Sequence, residues 1–289
     1  MNTNNKNEKQ LFSFFPGCSL KNWGNENTQS LVNFCDKVNI ELQELDDWNC
    51  CGSSSAHSVD KKVAKYLPMR NIALIPKGRP LLIACPSCLL RIKSTWLKIK
   101  SDPAVREDYE SFFNKAFDED IEIIHFFEIF DRISSDVTMD ALKHRLNGLK
   151  VAPYYGCMLS MPPDMRFEKS HAGIMENNLE PLGAEIIPFG YSTRCCGTYL
   201  SVAKPAIAIK VINEIVSKAA QAGAECLVTA CSMCHLNLEI RCTLEKPIPI
   251  FHFSELLAFD IGMGKKWFPR HIVDPIPLLK ERGLYDTSA

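Results

Sequence analysis

The stretch at residues 81–88, LLIACPSC, returns at residues 226–234 as CLVTACSMC. In both, a short apolar run ends at two cysteines spaced C-x-x-C. A run of about four apolar residues bounded in this way reads as a buried strand, and the residues that follow it read as helix. Working outward, 31 residues separate Cys18 from the adjacent pair Cys50-Cys51, and 33 separate that pair from Cys85 and Cys88. In the second half, 37 residues separate Cys157 from Cys195-Cys196, and 34 separate that pair from Cys231 and Cys234. Gly52 and Gly197 follow the two pairs. The flanks agree as well: FSFFPGC pairs with APYYGC, and IEIIHFFEIF with PIPIFHFSELL. Chance supplies one C-x-x-C in a cysteine-rich chain; it does not supply the same five-cysteine order twice at near-equal spacing.

The segments around these motifs alternate between strand and helix patterns. Residues 11–15 and 149–155 read as strands that run into Gly17-Cys18 and Gly156-Cys157. Residues 40–45 and 185–189 read as short strands ahead of the paired cysteines. Leu31, Phe34, Cys35 and Val38 recur at helical spacing, so residues 28–38 read as an amphipathic helix. A helix is expected after each cysteine pair, the clearer one at 205–220, with proline at its start and Gly223 beyond its end. Such β/α alternation favours a parallel sheet with helices on its faces. In such sheets ligands gather at the carboxyl ends of the strands. All three cysteine motifs of each half lie at such ends, and the helix starting at each C-x-x-C favours anionic thiolate at its N-terminus.

Composition narrows the function. The 289 residues are 46% hydrophobic and 23% charged, with a formal net charge of -1, which offers no electrostatic case for nucleic acid. The most apolar stretches, near 81–90 and 121–130, are broken by Pro86, Ser87, His125 and Glu128, so no membrane insertion is expected. The polar N-terminus carries no signal-peptide core, which points to the cytoplasm. Thirteen cysteines, an odd number, in a chain of this length and compartment argue for metal or redox chemistry over a disulfide framework.

Three readings of the cysteines compete. Cys35, Cys226 and Cys242 stand outside the repeat and read as small core residues. For the ten patterned cysteines, zinc is the minor alternative: it takes four ligands, whereas each half offers five, two of them adjacent in sequence. Iron–sulfur clusters use thiolates as their standard ligands, and five per half implies a spare ligand or an expanded cluster.

The double motif resembles the CCG-domain family, and two complete copies in one chain are similar to the B-subunit family of heterodisulfide reductases. The resemblance runs from Phe12 to about Leu279. It implies an α/β fold of two pseudo-repeated Rossmann-like three-layer halves, each with a small, mostly parallel sheet. It further implies two [4Fe-4S] clusters of noncubane type. One would be held by Cys18, Cys50, Cys51, Cys85 and Cys88, the other by Cys157, Cys195, Cys196, Cys231 and Cys234. The implied activity is cleavage of a disulfide, or related oxidation of a sulfur-carrying substrate, with each cluster handling one electron. The chain has neither a flavin fingerprint nor a ferredoxin run. Electrons are therefore expected from the partners that the resemblance implies, an iron–sulfur protein of the C type and a flavoprotein of the A type. Two other readings stay open: an electron-transfer subunit of a 2-hydroxy acid oxidising complex, and a non-catalytic, metal-stabilised assembly module.

Residues 1–147 and 148–289 are the expected domains, with a boundary in 133–148 and a charged insertion at 101–120. His125 and His252 occupy matching strand ends and read as capping or hydrogen-bonding groups, with proton delivery as the competing role. His57, His235 and Arg194, beside the cysteine motifs, are the weaker candidates for catalytic groups; Lys21 and Lys204 are candidates for attracting an anion. Trp23 and Trp48 read as packing residues. Residues 265–289 carry Pro269, Pro275 and Pro277 and read as an extended arm, with enough apolar groups to pack on the chain or on a partner.

Overall fold

In the computed structural model, residues 9–21, 24–53, 56–133, 145–160, 171–262 and 268–285 are described. They divide into two compact units. The first comprises the described residues up to 21 and those of 35–133; the second comprises 24–34 and everything described from 145 onward.

Each unit is built on a four-stranded, all-parallel sheet. In the first, the strands are β1 (Gln10–Phe15), β2 (Ile40–Glu44), β3 (Leu81–Ile83) and β4 (Ile123–His125), in the order β2-β1-β3-β4. In the second, β5 (Lys150–Tyr154), β6 (Glu185–Ile186), β7 (Cys226–Thr229) and β8 (Ile250–His252) repeat that order as β6-β5-β7-β8. The registers are equivalent: Ser13 pairs with Leu81 and Leu81 with Ile123, as Ala152 pairs with Leu227 and Leu227 with Ile250. The inner strands β3 and β7 are buried at every position, as expected of strands covered on both faces. Phe12, Phe14 and Phe15 of β1 are wholly buried, each side chain contributing roughly 1.5–3 kcal/mol of hydrophobic stabilisation.

Helices connect the strands in parallel β/α fashion. These are α1 (Asn25–Lys37), α2 (Lys61–Leu74), α3 (Pro86–Ser101), α4 (Pro103–Phe113), α5 (Pro205–Gln221), α6 (Ser232–Arg241) and α7 (Phe253–Asp260). Their ends follow local chemistry. Asp60 caps α2 by accepting from the amides of Lys62 and Val63 at 2.6 and 2.9 Å. Pro86 and Pro205 sit in the first turns of α3 and α5, where the missing N–H costs nothing. The charged insertion holds α4, capped by Asp102 and closed by Asn114 in the left-handed conformation at φ 48°.

Several expectations change. Helix α1 begins three residues earlier than its apolar spacing indicates, because residues 25–27 are a polar first turn. Strand β6 spans only Glu185–Ile186, shorter than expected; Ile187 still donates to Val151, but Pro188 has no N–H to continue the ladder. The carboxyl segment is not extended throughout. It forms a 3-10 turn at Phe268–Arg270 and a short helix at Ile276–Glu281. Pro275 and Pro277 stand at the start of that helix, where prolines are tolerated. Phe268 and Leu279 are fully buried, so this segment packs on its own unit. Residues 134–144, which hold most of the expected domain boundary, lie outside the described residues, as do Trp23 and Trp267.

Candidate metal centres

In each unit the cysteines lie just past the carboxyl ends of three neighbouring parallel strands. Cys18 opens a helical turn (Cys18–Lys21) after β1, Cys50 and Cys51 lie in the loop after β2, and Cys85 caps α3 after β3. Cys157 follows β5, Cys195 and Cys196 lie in the loop past β6, and Cys231 caps α6 after β7. Parallel pairing puts these ends on one edge, which is why motifs more than 30 residues apart converge.

They do converge. In the first unit the Sγ atoms of Cys18 and Cys50 are 3.7 Å apart, and those of Cys51 and Cys88 3.1 Å. Cys51 is hydrogen-bonded to Cys50, and Cys85 to Cys88. In the second, the Sγ atoms of Cys196 and Cys234 are 3.5 Å apart, Cys157 is hydrogen-bonded to Cys195, and Cys231 to Cys234. The five thiols of the first unit thus form one hydrogen-bonded chain, and those of the second form two groups, Cys157–Cys195 and Cys196–Cys234–Cys231, that meet at the adjacent Cys195 and Cys196. Two glycines make room for them. Gly17 and Gly156 adopt φ +77° and +66°, and a Cβ on either would come within 3.1 Å of Cys88 Sγ or 3.3 Å of Cys234 Sγ.

The electrostatics are those of thiols sharing protons. Hydrogen bonding from Cys18, then from Cys51 and the Gly52 amide, pulls Cys50 well down. Cys157 and the Gly197 amide bring Cys195 down to about 6. Cys234 and the Thr198 hydroxyl bring Cys196 to about 6 as well. The donors move the other way: Cys18 and Cys157 rise through their bonds to Cys50 and Cys195, and Cys51 is pushed up to about 12. These bonds favour thiolate at Cys50, Cys195 and Cys196, and full ionisation of five crowded sulfurs requires a cationic group among them. The donor set is soft and sulfur-only, which suits zinc or iron–sulfur. Separations near 3.5–3.7 Å would also suit the edge of a zinc tetrahedron, about 3.8 Å for a Zn–S bond of ~2.3 Å. The fifth thiol is what a single tetrahedral ion leaves unused; a group with several irons can use it.

The remaining candidates fall outside the thiol sets. His57 is exposed on a helical turn. Arg194 is paired with Glu214 at 2.9 Å and lies over the Tyr191 ring. Lys21 is paired with Glu44 at 2.8 Å, and Lys204 is exposed ahead of α5. His125 caps its 3-10 turn, Nδ1 accepting from the Phe127 amide while Nε2 lies 3.1 Å from the Ala84 carbonyl beside Cys85. The His252 amide donates to Glu255, and its Nδ1 bonds Ser254. Trp48 packs edge-on against Phe15.

His235 belongs to a buried polar network that spacing did not reveal. Its Nδ1 is 3.0 Å from Asn27 Nδ2 in α1, and its Nε2 is 2.9 Å from the Ile250 carbonyl. Beside it, His271 bridges Glu239 at 3.0 Å and Glu255 at 3.1 Å. His235, Glu255 and His271 have the composition of a metal site, but both nitrogens of each histidine are already committed, so the group reads as an ion network. Sequence reasoning also missed Tyr154, whose hydroxyl donates to the Arg194 carbonyl ahead of Cys195, and Thr198, whose hydroxyl is 2.9 Å from Cys196 Sγ. A hydroxyl residue directly after Cys-Cys-Gly was the one available signal for Thr198.

The cysteine-rich CCG domain matches residues 12–93 and 151–239, which contain both five-cysteine sets. The chain is 30% identical over 268 residues to the membrane anchor subunit of the 8-methylmenaquinol:fumarate reductase of Wolinella succinogenes, covering 88% of this chain and 93% of that one. It is 26% identical over 271 residues to the B subunit of the ferredoxin/F(420)H(2)-dependent CoB-CoM heterodisulfide reductase of Methanosarcina acetivorans, covering 87% and 89%. Lactate utilization protein A of an Exiguobacterium species is 25% identical over 79% of this chain. Among solved structures, a hypothetical protein from Helicobacter pylori shares the fold, with a TM-score of 0.71 at 13% identity over 92% of this chain and 52% of that one. Among the described residues, no helix is long and apolar enough to cross a membrane.

Proposed function

The chain belongs to the cysteine-rich CCG domain family, and from that premise we propose that it is the two-cluster iron–sulfur subunit of a multi-subunit oxidoreductase. Each five-cysteine set would hold one [4Fe-4S] cluster of noncubane type: Cys18, Cys50, Cys51, Cys85 and Cys88 for one, Cys157, Cys195, Cys196, Cys231 and Cys234 for the other. The observation that carries this reading is two corresponding sets of five clustered thiols, each at the carboxyl edge of its own parallel sheet. Such clusters supply single-electron storage, and two of them suit a substrate that changes by an electron pair.

The resemblance to the B subunit of heterodisulfide reductase supports a disulfide as that substrate. Its cleavage takes two electrons and two protons and leaves two thiols. Electrons would come from a flavoprotein partner of the A type and an iron–sulfur partner of the C type. A second reading is favoured by the 30% identity to the fumarate reductase subunit: here the clusters would take electrons from a quinol and pass them to a partner that reduces fumarate. Oxidation of a 2-hydroxy acid has less support, since that relative matches a smaller share of the chain.

The test is anaerobic purification of the full chain with its co-expressed partners. Two four-iron clusters give about eight irons per chain with matching acid-labile sulfide. Viologen-driven disulfide reduction would support the first reading, and quinol oxidation without disulfide reduction the second. A colourless protein with one or two zinc ions would overturn both and leave an assembly module.

A further inference from the structure

The two thiol sites are not equivalent in what surrounds them. Thr198 Oγ1 lies 2.9 Å from Cys196 Sγ. A thiolate bound to a metal has no proton to give, so in a loaded site the hydroxyl is the donor. The turn that carries Thr198 is pinned from several sides. Leu200 N donates to Gly197 O, and Ser201 N to Thr198 O. Ser201 Oγ donates to Asn237 Oδ1 at 2.6 Å, and Asn237 Nδ2 donates to the Cys196 carbonyl at 2.9 Å. Asn237 is buried in α6, one turn beyond Cys234. The hydroxyl is thus held against the sulfur by groups tied to both cysteine motifs, and it forms its bond without reorganising the loop. Thr198 also donates its backbone amide to Cys196, as the corresponding Ser53 does to Cys51 in the first unit, so the hydroxyl acts on top of an amide bond already in place.

Resting on the two-cluster reading above, we propose that Thr198 is a positioning residue that raises the reduction potential of the second site, by donating its hydroxyl to the Cys196 ligand sulfur. A hydrogen bond to a ligand sulfur withdraws electron density and stabilises the reduced, more negative state. The step it tunes is simple: one electron arrives from an external one-electron donor, no bond breaks, and the hydroxyl proton stays on Thr198. With Thr198 in place, the second site accepts its electron more readily than it would without the hydroxyl.

The test is a potentiometric titration of the full-length, anaerobically prepared protein with dithionite, followed by EPR and visible absorption. Thr198→Val keeps the shape and removes the donor. One of the two midpoints is expected to fall by about 59 mV, the one-electron equivalent of a tenfold change in equilibrium, while the other stays in place. Thr198→Ser, which keeps the hydroxyl, is expected to restore the native value. Iron and sulfide content should be the same in all three proteins. Unchanged midpoints in a fully loaded Thr198→Val protein would overturn the proposal, and so would an equal fall in Thr198→Ser. If Thr198→Val fails to load, Thr198→Ala, which cannot overfill the loop, is titrated in its place. Failure of both to load beside an intact Thr198→Ser would make the residue a requirement of assembly and overturn the assignment. Native protein without iron and sulfide would overturn the two-cluster reading itself, and metal analysis tells that failure apart.

Discussion

His271→Gln should destabilise the second unit by about 3–5 kcal/mol, and the loss should depend on pH in a predictable direction. His271 comes from the carboxyl segment and bridges Glu239 of α6 and Glu255 of α7, with all three side chains no more than 6% exposed. Burial alone would push the imidazole down, but the charge of Glu255 and the bonds to both carboxylates raise it from 6.5 to about 10. For Glu255, burial would push the carboxyl up, and His271 instead brings it from 4.5 to about 2. Each pKa step is worth ~1.36 kcal/mol. The pair therefore contributes roughly 3 kcal/mol seen from Glu255 and roughly 5 kcal/mol seen from His271. The second figure is larger because His271 also serves Glu239, so the smaller one is assigned to the single contact. Removing the cation also strands two buried carboxylates, which by itself costs about 3–5 kcal/mol; the two figures describe one interaction and do not add. The expected drop in Tm is roughly 6–20 °C for a unit of this size. For the sign, a raised histidine pKa stabilises fully below pH ~6.5 and loses that contribution as pH climbs towards 10, while a depressed glutamate pKa stabilises above pH ~4.5 and fails as pH falls towards 2. The difference between native and variant stability should be flat from pH ~4.5 to ~6.5 and shrink to about 1.5 kcal/mol by pH ~9. Urea titrations of both proteins across that range, followed by circular dichroism, measure the difference directly. A gap below about 0.5 kcal/mol at pH ~6, or one that widens above pH ~8, would refute the reasoning.

Cys51→Ser or Cys196→Ser should remove the iron of its own unit, about half the total, by replacing a soft ligand, whereas Cys35→Ser should keep it all; equal losses in metal analysis would mean the ligand sets are wrong. Gly156→Ala would put a Cβ 3.3 Å from Cys234 Sγ at φ +66°, so iron loading of the second unit should fall, with about 1–2 kcal/mol of strain; full loading at native stability would contradict the close approach. Phe268→Ala empties the fully buried position by which the carboxyl segment packs on its unit and should cost about 3–5 kcal/mol in chemical denaturation, while an unaltered midpoint would show that the segment does not hold its unit.

Much of the fold and of both thiol sites is legible in the order of residues. The repeat C, CC-G, C-x-x-C is covalent order, and so are the apolar runs that precede each motif. Short apolar runs ending at the cysteine motifs reported β1, β3, β5 and β7, and the flanking proline and glycine reported α5, nearly to the residue, because those elements are buried enough for burial to shape their composition. Convergence of ten cysteines followed from one rule about parallel sheets, that every strand's carboxyl end lies on the same edge. Prolines near the carboxyl end misled in the opposite direction, since proline breaks a helix interior but begins a helix readily.

What no pattern in the chain could show is which surfaces meet. Residues 25–34 precede Cys50 in sequence yet belong to the second unit, where Ser30 Oγ lies 2.6 Å from Ser254 Oγ and Asn27 bonds His235. These partners are 224 and 208 residues apart. Periodicity records that one face of α1 is apolar; it carries no record of what covers that face. The same holds for His271 and its two glutamates, and for the turn that brings Thr198 to Cys196. The sequence alone determined the cysteine inventory, the two-fold repetition and the β/α order, because these follow from local spacing and from burial averaged along each element. Tertiary structure alone decided the allegiance of α1, the docking of the carboxyl segment and the hydrogen bonds around each sulfur. Those depend on distances between groups far apart in the chain, set jointly by all the packing at once.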